Sequence, residues 1–255
     1  MKTLRKLFKP MNRPLPDDTQ CSQCRYFDTS DPRVVQTIKE EFPHNWSNVL
    51  YSARCKCDDM FHAKQVKQKS LWNESNLPNR HGNSLPNTFD TFKEVKGVSQ
   101  GLSKAMSMAY GRGSHILTIV GTYGCGKSHL LEAVAREWLH RGESVRYEYV
   151  PSMLNQLRSR FSSEDNGSLW TALEEIFKVK LLVLDDLGQE APTEWTRKTL
   201  TEIVDERIRT DGWLLCATNY TQDQLRERLD ERFVSRLFDR ADFVVMTSSS
   251  YREKK

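Results

Sequence analysis

The stretch that most limits what this chain can become is "GTYGCGKS" at residues 121–128. It fits the pattern G-x-x-x-x-G-K-[ST]. An apolar run, "HILTIV", leads into it, and an amphipathic run, "SHLLEAVAREWLHRG", leads out. Strand, glycine loop, helix is the order that phosphate binding needs. Gly121, Gly124 and Gly126 let the backbone close around phosphate oxygens and aim its N–H groups inward. The helix that follows offers the positive end of its dipole. Lys127 can reach the β- and γ-phosphates of ATP, and the Ser128 hydroxyl can hold Mg²⁺. The candidate contacts are therefore Gly121, Thr122, Tyr123, Gly124, Cys125, Gly126, Lys127, Ser128 and His129. A chance match in a mobile loop would not come with both flanks correct.

From Phe89 onward, strand and helix patterns alternate. "SVRYEYV", "LLVLDD", "WLLCATN" and "ADFVVM" read as further strands, and amphipathic runs fall between them. That alternation predicts an α/β fold with a parallel sheet and helices on both faces. In the outgoing helix Leu130, Leu131, Val134, Trp138 and Leu139 share one side, and Gly142 ends it. "LLVLDDLG" is an apolar strand that ends in two aspartates. Asp185 suits a Mg²⁺ ion held through its water shell, and Asp186 stands where a carboxylate can orient an attacking water. Capping of a turn before Gly188 would account for one aspartate, not for the pair. In "LLCATNY", Thr218 and Asn219 reach the carboxyl edge of the sheet, where open α/β sheets bind ligands. Asn219 could position water against the γ-phosphate there, although asparagine is common at strand ends.

The front of the chain differs. Residues 1–80 carry 14 Lys and Arg against 9 Asp and Glu, and the remaining residues carry 24 against 25. An anionic partner would be drawn to the front, although a solvated basic surface explains the same excess. "CSQC" at 21–24 and "CKC" at 55–57 form two close pairs that can converge on one tetrahedral Zn²⁺ through Cys21, Cys24, Cys55 and Cys57. His44 and His62 are alternative ligands. A closed four-thiolate site is structural and builds a docking surface. Cys125 and Cys216 read as small packing residues. No apolar run approaches the ~20 residues that cross a bilayer, and the N-terminus lacks the apolar stretch of an export signal. A cytoplasmic protein with no membrane partner is expected. The organisation read from these patterns is a basic segment with a zinc module over 1–72, an Asn/Ser/Pro/Gly-rich linker over 73–87, and a nucleotide-binding domain over 88–255, with a helix from Phe61 to Trp72.

"NTFDTFKEV", "GTYGCGKSHLLEAVAREWLHRGESVRYEYVPSML", "LLVLDDLGQEAPTEW", "LLCATNY", "ERFVSRLF" and "SSSYR", in this order, resemble the AAA+ ATPases. More narrowly they are similar to the bacterial DnaC/DnaI-like helicase loaders and the related IstB transposase helpers. The resemblance covers about residues 85–255. It implies that Thr88 to Phe92 line the adenine side. It implies an arginine finger at Arg236, with Arg232 as second choice, and a second sensor at Arg252. Surface ion pairs at helical spacing would explain most of these arginines without it. The two helices at 151–180 resemble an insertion that contacts DNA in this group, with Arg158, Arg160, Lys178 and Lys180 as phosphate contacts and Phe161 and Trp170 as stacking partners. Ordinary core packing is the competing reading of the two aromatics. Two departures stand out. Asp186 occupies a position where many AAA+ proteins have Glu, which suits slow, switch-like hydrolysis. The chain also ends about ten residues after its last strand, so no C-terminal lid domain is expected.

The resemblance implies an ATPase that binds ATP, Mg²⁺ and Zn²⁺ and works as a homo-oligomer, helical or ring-shaped. It would load a hexameric replicative helicase onto single-stranded DNA. The alternatives are an IstB-like ATPase that assists a transposase and a scaffold that binds ATP without significant turnover.

Overall fold

The computed structural model describes residues 27, 29, 31–53, 57–78, 85–161, 166–238 and 241–248. The chain divides into two compact units, Met1–Lys67 and Gln68–Lys255.

In the first unit, α1 (Pro32–Glu41) and α2 (Trp46–Ala53) pair. Asp31 caps α1 by accepting from the Arg33 N–H at 2.8 Å, with Pro32 in the first turn. Val34, Ile38 and Ala53 form a small core, against which Phe27, Phe42, Val49 and Leu50 pack. Neither helix is predicted from the sequence, because runs of 10 and 8 residues are too short to display a clear helical period. Next comes α3 (Cys57–Glu74), longer at both ends than the helix expected from Phe61 to Trp72.

The second unit holds five strands: β1 (Ile116–Gly121), β2 (Val145–Tyr149), β3 (Leu181–Leu187), β4 (Trp213–Thr218) and β5 (Asp242–Met246). All are parallel, in the order β2-β3-β4-β1-β5. One face of the sheet presents Leu117, Ile119, Val183, Leu215, Ala217, Val244 and Met246. It packs against α4 (Ser99–Ala109) and α5 (Lys127–His140). Leu130, Leu131, Val134, Trp138 and Leu139 of α5 are all buried, as their spacing predicts. The other face presents Ile116, Val120, Leu182, Leu184, Leu214 and Cys216. It is covered by α6 (Val150–Phe161), α7 (Asn166–Lys178), α8 (Glu194–Arg209), α9 (Gln222–Arg228) and α10 (Glu231–Phe238). Burial on both faces explains why the central strands β1, β3 and β4 read as near-continuous apolar runs.

Two features lie beyond the sequence patterns. Part of the segment read as a linker packs along β2, the outer strand. The Tyr147 N–H donates to Ser75 O at 2.7 Å, and Asn76 Nδ2 donates to Glu148 Oε1 at 3.0 Å. An edge strand has unpaired backbone groups, and the bond to Ser75 satisfies one of them. The second feature is Arg207 of α8, which is fully buried and forms no ion pair among the described residues. Its guanidinium donates to the carbonyls of Phe177, Val179 and Lys180 at 2.9, 2.5 and 3.3 Å. Burial pulls its pKa down to about 10. Among the described residues, no helix is long and apolar enough to cross a membrane.

Candidate nucleotide site

The glycine loop leaves β1 at the carboxyl edge of the sheet and enters α5. Gly124 and Gly126 have φ of 76° and 98°, in the left-handed region that glycine adopts without strain. A Cβ at Gly121 would lie 2.7 Å from Met246 O and 2.8 Å from Cys125 Sγ, so only glycine fits. Lys127 is 5% exposed, with its stem buried under the loop. Its ammonium donates to Gly121 O at 2.9 Å, Thr122 O at 2.9 Å and Asn219 Oδ1 at 2.7 Å.

Strand order brings the remaining groups in. β4 lies between β1 and β3, so Asn219, just beyond β4, stands between the loop and the two aspartates. It accepts from Lys127 and donates through Nδ2 to Asp186 Oδ1 at 3.2 Å. The register between β3 and β4 slips between Leu184 and Leu187. Asp186 sits in that irregularity with φ of 55°, a conformation aspartate tolerates better than most side chains. Asp185, 6% exposed, points inward. Its Oδ2 accepts from the Tyr147 hydroxyl at 2.6 Å and its Oδ1 from the Asp186 N–H at 3.0 Å. Burial raises its pKa, while hydrogen bonds from Tyr147 and Ser128 act against that rise. Lys127, Ser128, Asp185, Asp186 and Asn219 thus converge on one place.

A cleft of about 410 Å³ opens beside this network. Its lining includes Tyr123, Gly124, Lys127, Ser128, Asp186 and Asn219 on one side and Asn87, Thr91, Phe92 and His129 on the other. His129 Nε2 donates to Thr88 O at 2.8 Å, and its ring meets Phe92 edge-on at 5.1 Å. The first turn of α5 therefore holds the "TFDTF" segment in place. Asn87 donates to the buried Glu132 at 2.9 Å. Tyr123 is 63% exposed, and its hydroxyl accepts from Gln189 Nε2. The donor set fits a nucleotide with Mg²⁺: glycine N–H groups and an ammonium for phosphate oxygens, and a hydroxyl beside a buried carboxylate for a hard cation. Tyr147, Asn87 and Gln189 lie within quoted sequence stretches but are assigned no site role there. For Tyr147 there was one signal: a tyrosine at an inward strand position must find a partner for its hydroxyl.

Arg236 lies elsewhere. On α10 it forms an ion pair with Asp205 of α8. With Arg232, Ile208, Arg209 and Ser235 these two residues line a separate groove. Arg252 lies outside the described residues. So do Cys21, Cys24 and Cys55, and nothing is described of the Cys57 side chain. Among the described residues, no group of three or more His, Cys, Asp or Glu could hold a metal ion. Cys125 and Cys216 are buried, as packing residues should be. On the helices proposed for DNA contact, Arg158 stacks over Trp195 at 5.0 Å and donates to Thr193. Lys178 pairs with Glu174 at 2.8 Å. Trp170 is 56% exposed, which removes the core reading for that residue.

The parallel sheet, the glycine loop after β1 and the acidic end of β3 define a nucleotide-binding α/β protein of the AAA+ class. Comparison with known proteins narrows this. The model of the IstB-like ATP binding protein family matches residues 61–255, and the chain belongs to that family. It is 26% identical to the replicative helicase loader DnaC of Escherichia coli K12 over 195 residues, 75% of this chain and 78% of that relative. The crystal structure of the DnaC helicase loader matches with a TM-score of 0.57 at 21% identity, over 70% of this chain and 99% of that one. The replication initiator DnaA, bound to AMPPCP and single-stranded DNA, matches with a TM-score of 0.58 at 21% identity, over 64% of this chain and 50% of that one.

Proposed function

We propose that this protein is an ATP-driven switch that loads a ring-shaped replicative helicase onto single-stranded DNA. The observation that carries the ATPase reading is the continuous link Lys127–Asn219–Asp186, with Asp185 and Ser128 beside it. Likeness to DnaC adds the helicase. In this reading the loop N–H groups and Lys127 bind the phosphates, and His129 and Phe92 hold the base side closed. Ser128 and Asp185 hold Mg²⁺, which supplies charge neutralisation on the β- and γ-phosphate oxygens. Asp186 accepts a hydrogen bond from the attacking water, and Asn219 fixes Asp186 relative to Lys127. Arg236 faces away from its own cleft and acts on the site of a neighbouring copy, so the working form is an assembly.

The test is a loading assay with the source cell's own replicative helicase and a circular single-stranded DNA. ATP together with this protein should move the helicase onto the circle, and Lys127→Ala should not. No transfer, with no binding between the two proteins, would sink the loader reading. A second reading is favoured by the family match itself: an ATPase that assists a transposase on duplex DNA. Turnover stimulated by duplex rather than single-stranded DNA would select it. Absence of turnover with either DNA would leave an ATP-bound scaffold. We also propose that Cys21, Cys24, Cys55 and Cys57 hold one zinc ion that shapes the helicase-docking module. Metal analysis of the purified protein, with Cys55→Ser as control, decides this; four alkylatable thiols and no zinc would remove the claim.

A further inference from the structure

Tyr147 lies on β2, carries no role read from the sequence, and is 5% exposed. The residue is held at both ends. Its backbone N–H donates to Ser75 O at 2.7 Å, and its hydroxyl donates to Asp185 Oδ2 at 2.6 Å. The distance is that of a charge-assisted bond. Packing alone does not call for a tyrosine here. The surrounding cluster is apolar, with Leu130, Val134, Leu181 and Val183 among its members, and Phe would fill the same space. A buried hydroxyl costs free energy unless it is paired, and this one is paired with the carboxylate assigned to Mg²⁺. Nor is the contact needed to join the strands: β2 and β3 already pair in register from Val145↔Leu181 to Tyr149↔Asp185. A carboxylate oxygen only accepts, so the hydroxyl is the donor in this contact.

We propose that Tyr147 is a positioning residue for the magnesium carboxylate: its hydroxyl fixes the orientation of Asp185 and keeps that carboxylate turned toward Ser128. The proposal rests on the nucleotide-site reading above. Asp185 lies beside a second carboxylate, Asp186, in a place that burial makes hostile to charge. A fixed donor on Oδ2 counters both effects. It reaches Asp185 from β2, across β3 from β4 and from β1, which leads into the glycine loop. Groups that orient a ligand in this way commonly change metal affinity by about 10- to 100-fold.

The experiment uses Tyr147→Phe in the full chain, which removes one oxygen and keeps the ring. A fluorescent ATP analogue is titrated first in EDTA, then at fixed concentration against Mg²⁺. Affinity in EDTA should equal that of the wild type. The Mg²⁺ concentration for half-maximal tightening should rise about 10-fold. Mn²⁺, which binds such sites more strongly, should recover most of the loss. Tyr147→Met removes ring and hydroxyl together. It should lower thermal stability further yet shift the Mg²⁺ requirement by a similar factor, which separates packing from the hydroxyl. A Tyr147→Phe protein that responds to Mg²⁺ at the wild-type concentration overturns the proposal, whatever its stability. A wild-type protein that binds the analogue with no response to Mg²⁺ overturns the magnesium site itself, and this inference with it.

Discussion

Lys127, Asp185 and Asp186 are tied inside the cleft by partners from β2, β4 and the glycine loop. In the groove lined by α8 and α10, Arg236 has an ion pair to Asp205, and its side chain is 25% exposed. Arg207 gives a third case, a buried guanidinium that serves three carbonyls. Type of residue does not separate these arginines; surroundings do. Arg207 is surrounded by acceptors of its own chain and is a structural clamp. Arg236 keeps an exposed edge on a charged groove. The cleft gathers its binding groups from several elements, and the groove gathers charged side chains from two helices.

The comparison breaks first on Arg236→Ala. Turnover should fall by about 10³-fold, the low end for a finger acting on a phosphoryl group, while a single subunit binds ATP as before. Mixing this variant with Lys127→Ala should restore part of the activity, because each offers what the other lacks. No recovery in a mixture shown to co-assemble would place Arg236 in service of its own subunit. Arg207→Met should cost about 3 kcal/mol in urea denaturation, since three part-buried carbonyls lose the guanidinium they share. A loss below about 1 kcal/mol would erase the distinction between the two arginines. Lys127→Ala should weaken ATP binding by about 100-fold in calorimetry, the worth of charge-assisted bonds to phosphate, with secondary structure unchanged. Asp205→Asn is the mildest. The pair is partly exposed, so thermal denaturation should move by no more than about 1 kcal/mol. A larger loss would make the Arg236–Asp205 pair a fold element rather than a surface awaiting a partner.

Much of the second unit was legible from its pattern. Each predicted strand core, "LTIV", "VRYEY", "VLDD", "LLCAT" and "FVVM", lies in an observed strand, and the three central ones stand out because helices bury both their faces. The small helical pair at 32–53 was not legible. Its core is three buried residues, Val34, Ile38 and Ala53, too few to set a period. Residues 73–78 carry the polar, turn-forming composition of a linker, and composition does not reveal that Ser75 O receives the N–H of an edge strand.

The phosphate loop was determined by sequence alone. Its chemistry lies in consecutive residues, and its backbone shape follows from where the glycines fall. The same holds for the aspartate pair, which ends an apolar strand whatever that strand's neighbours are. Only the tertiary structure decided which groups meet. Lys127 and Asn219 are 92 positions apart, and Tyr147 and Asp185 are 38 apart. Their contacts depend on β4 lying between β1 and β3 and on β2 flanking β3. Strand order results from how the helices cover both faces at once, a property of the whole packed sheet that no local run of residues encodes.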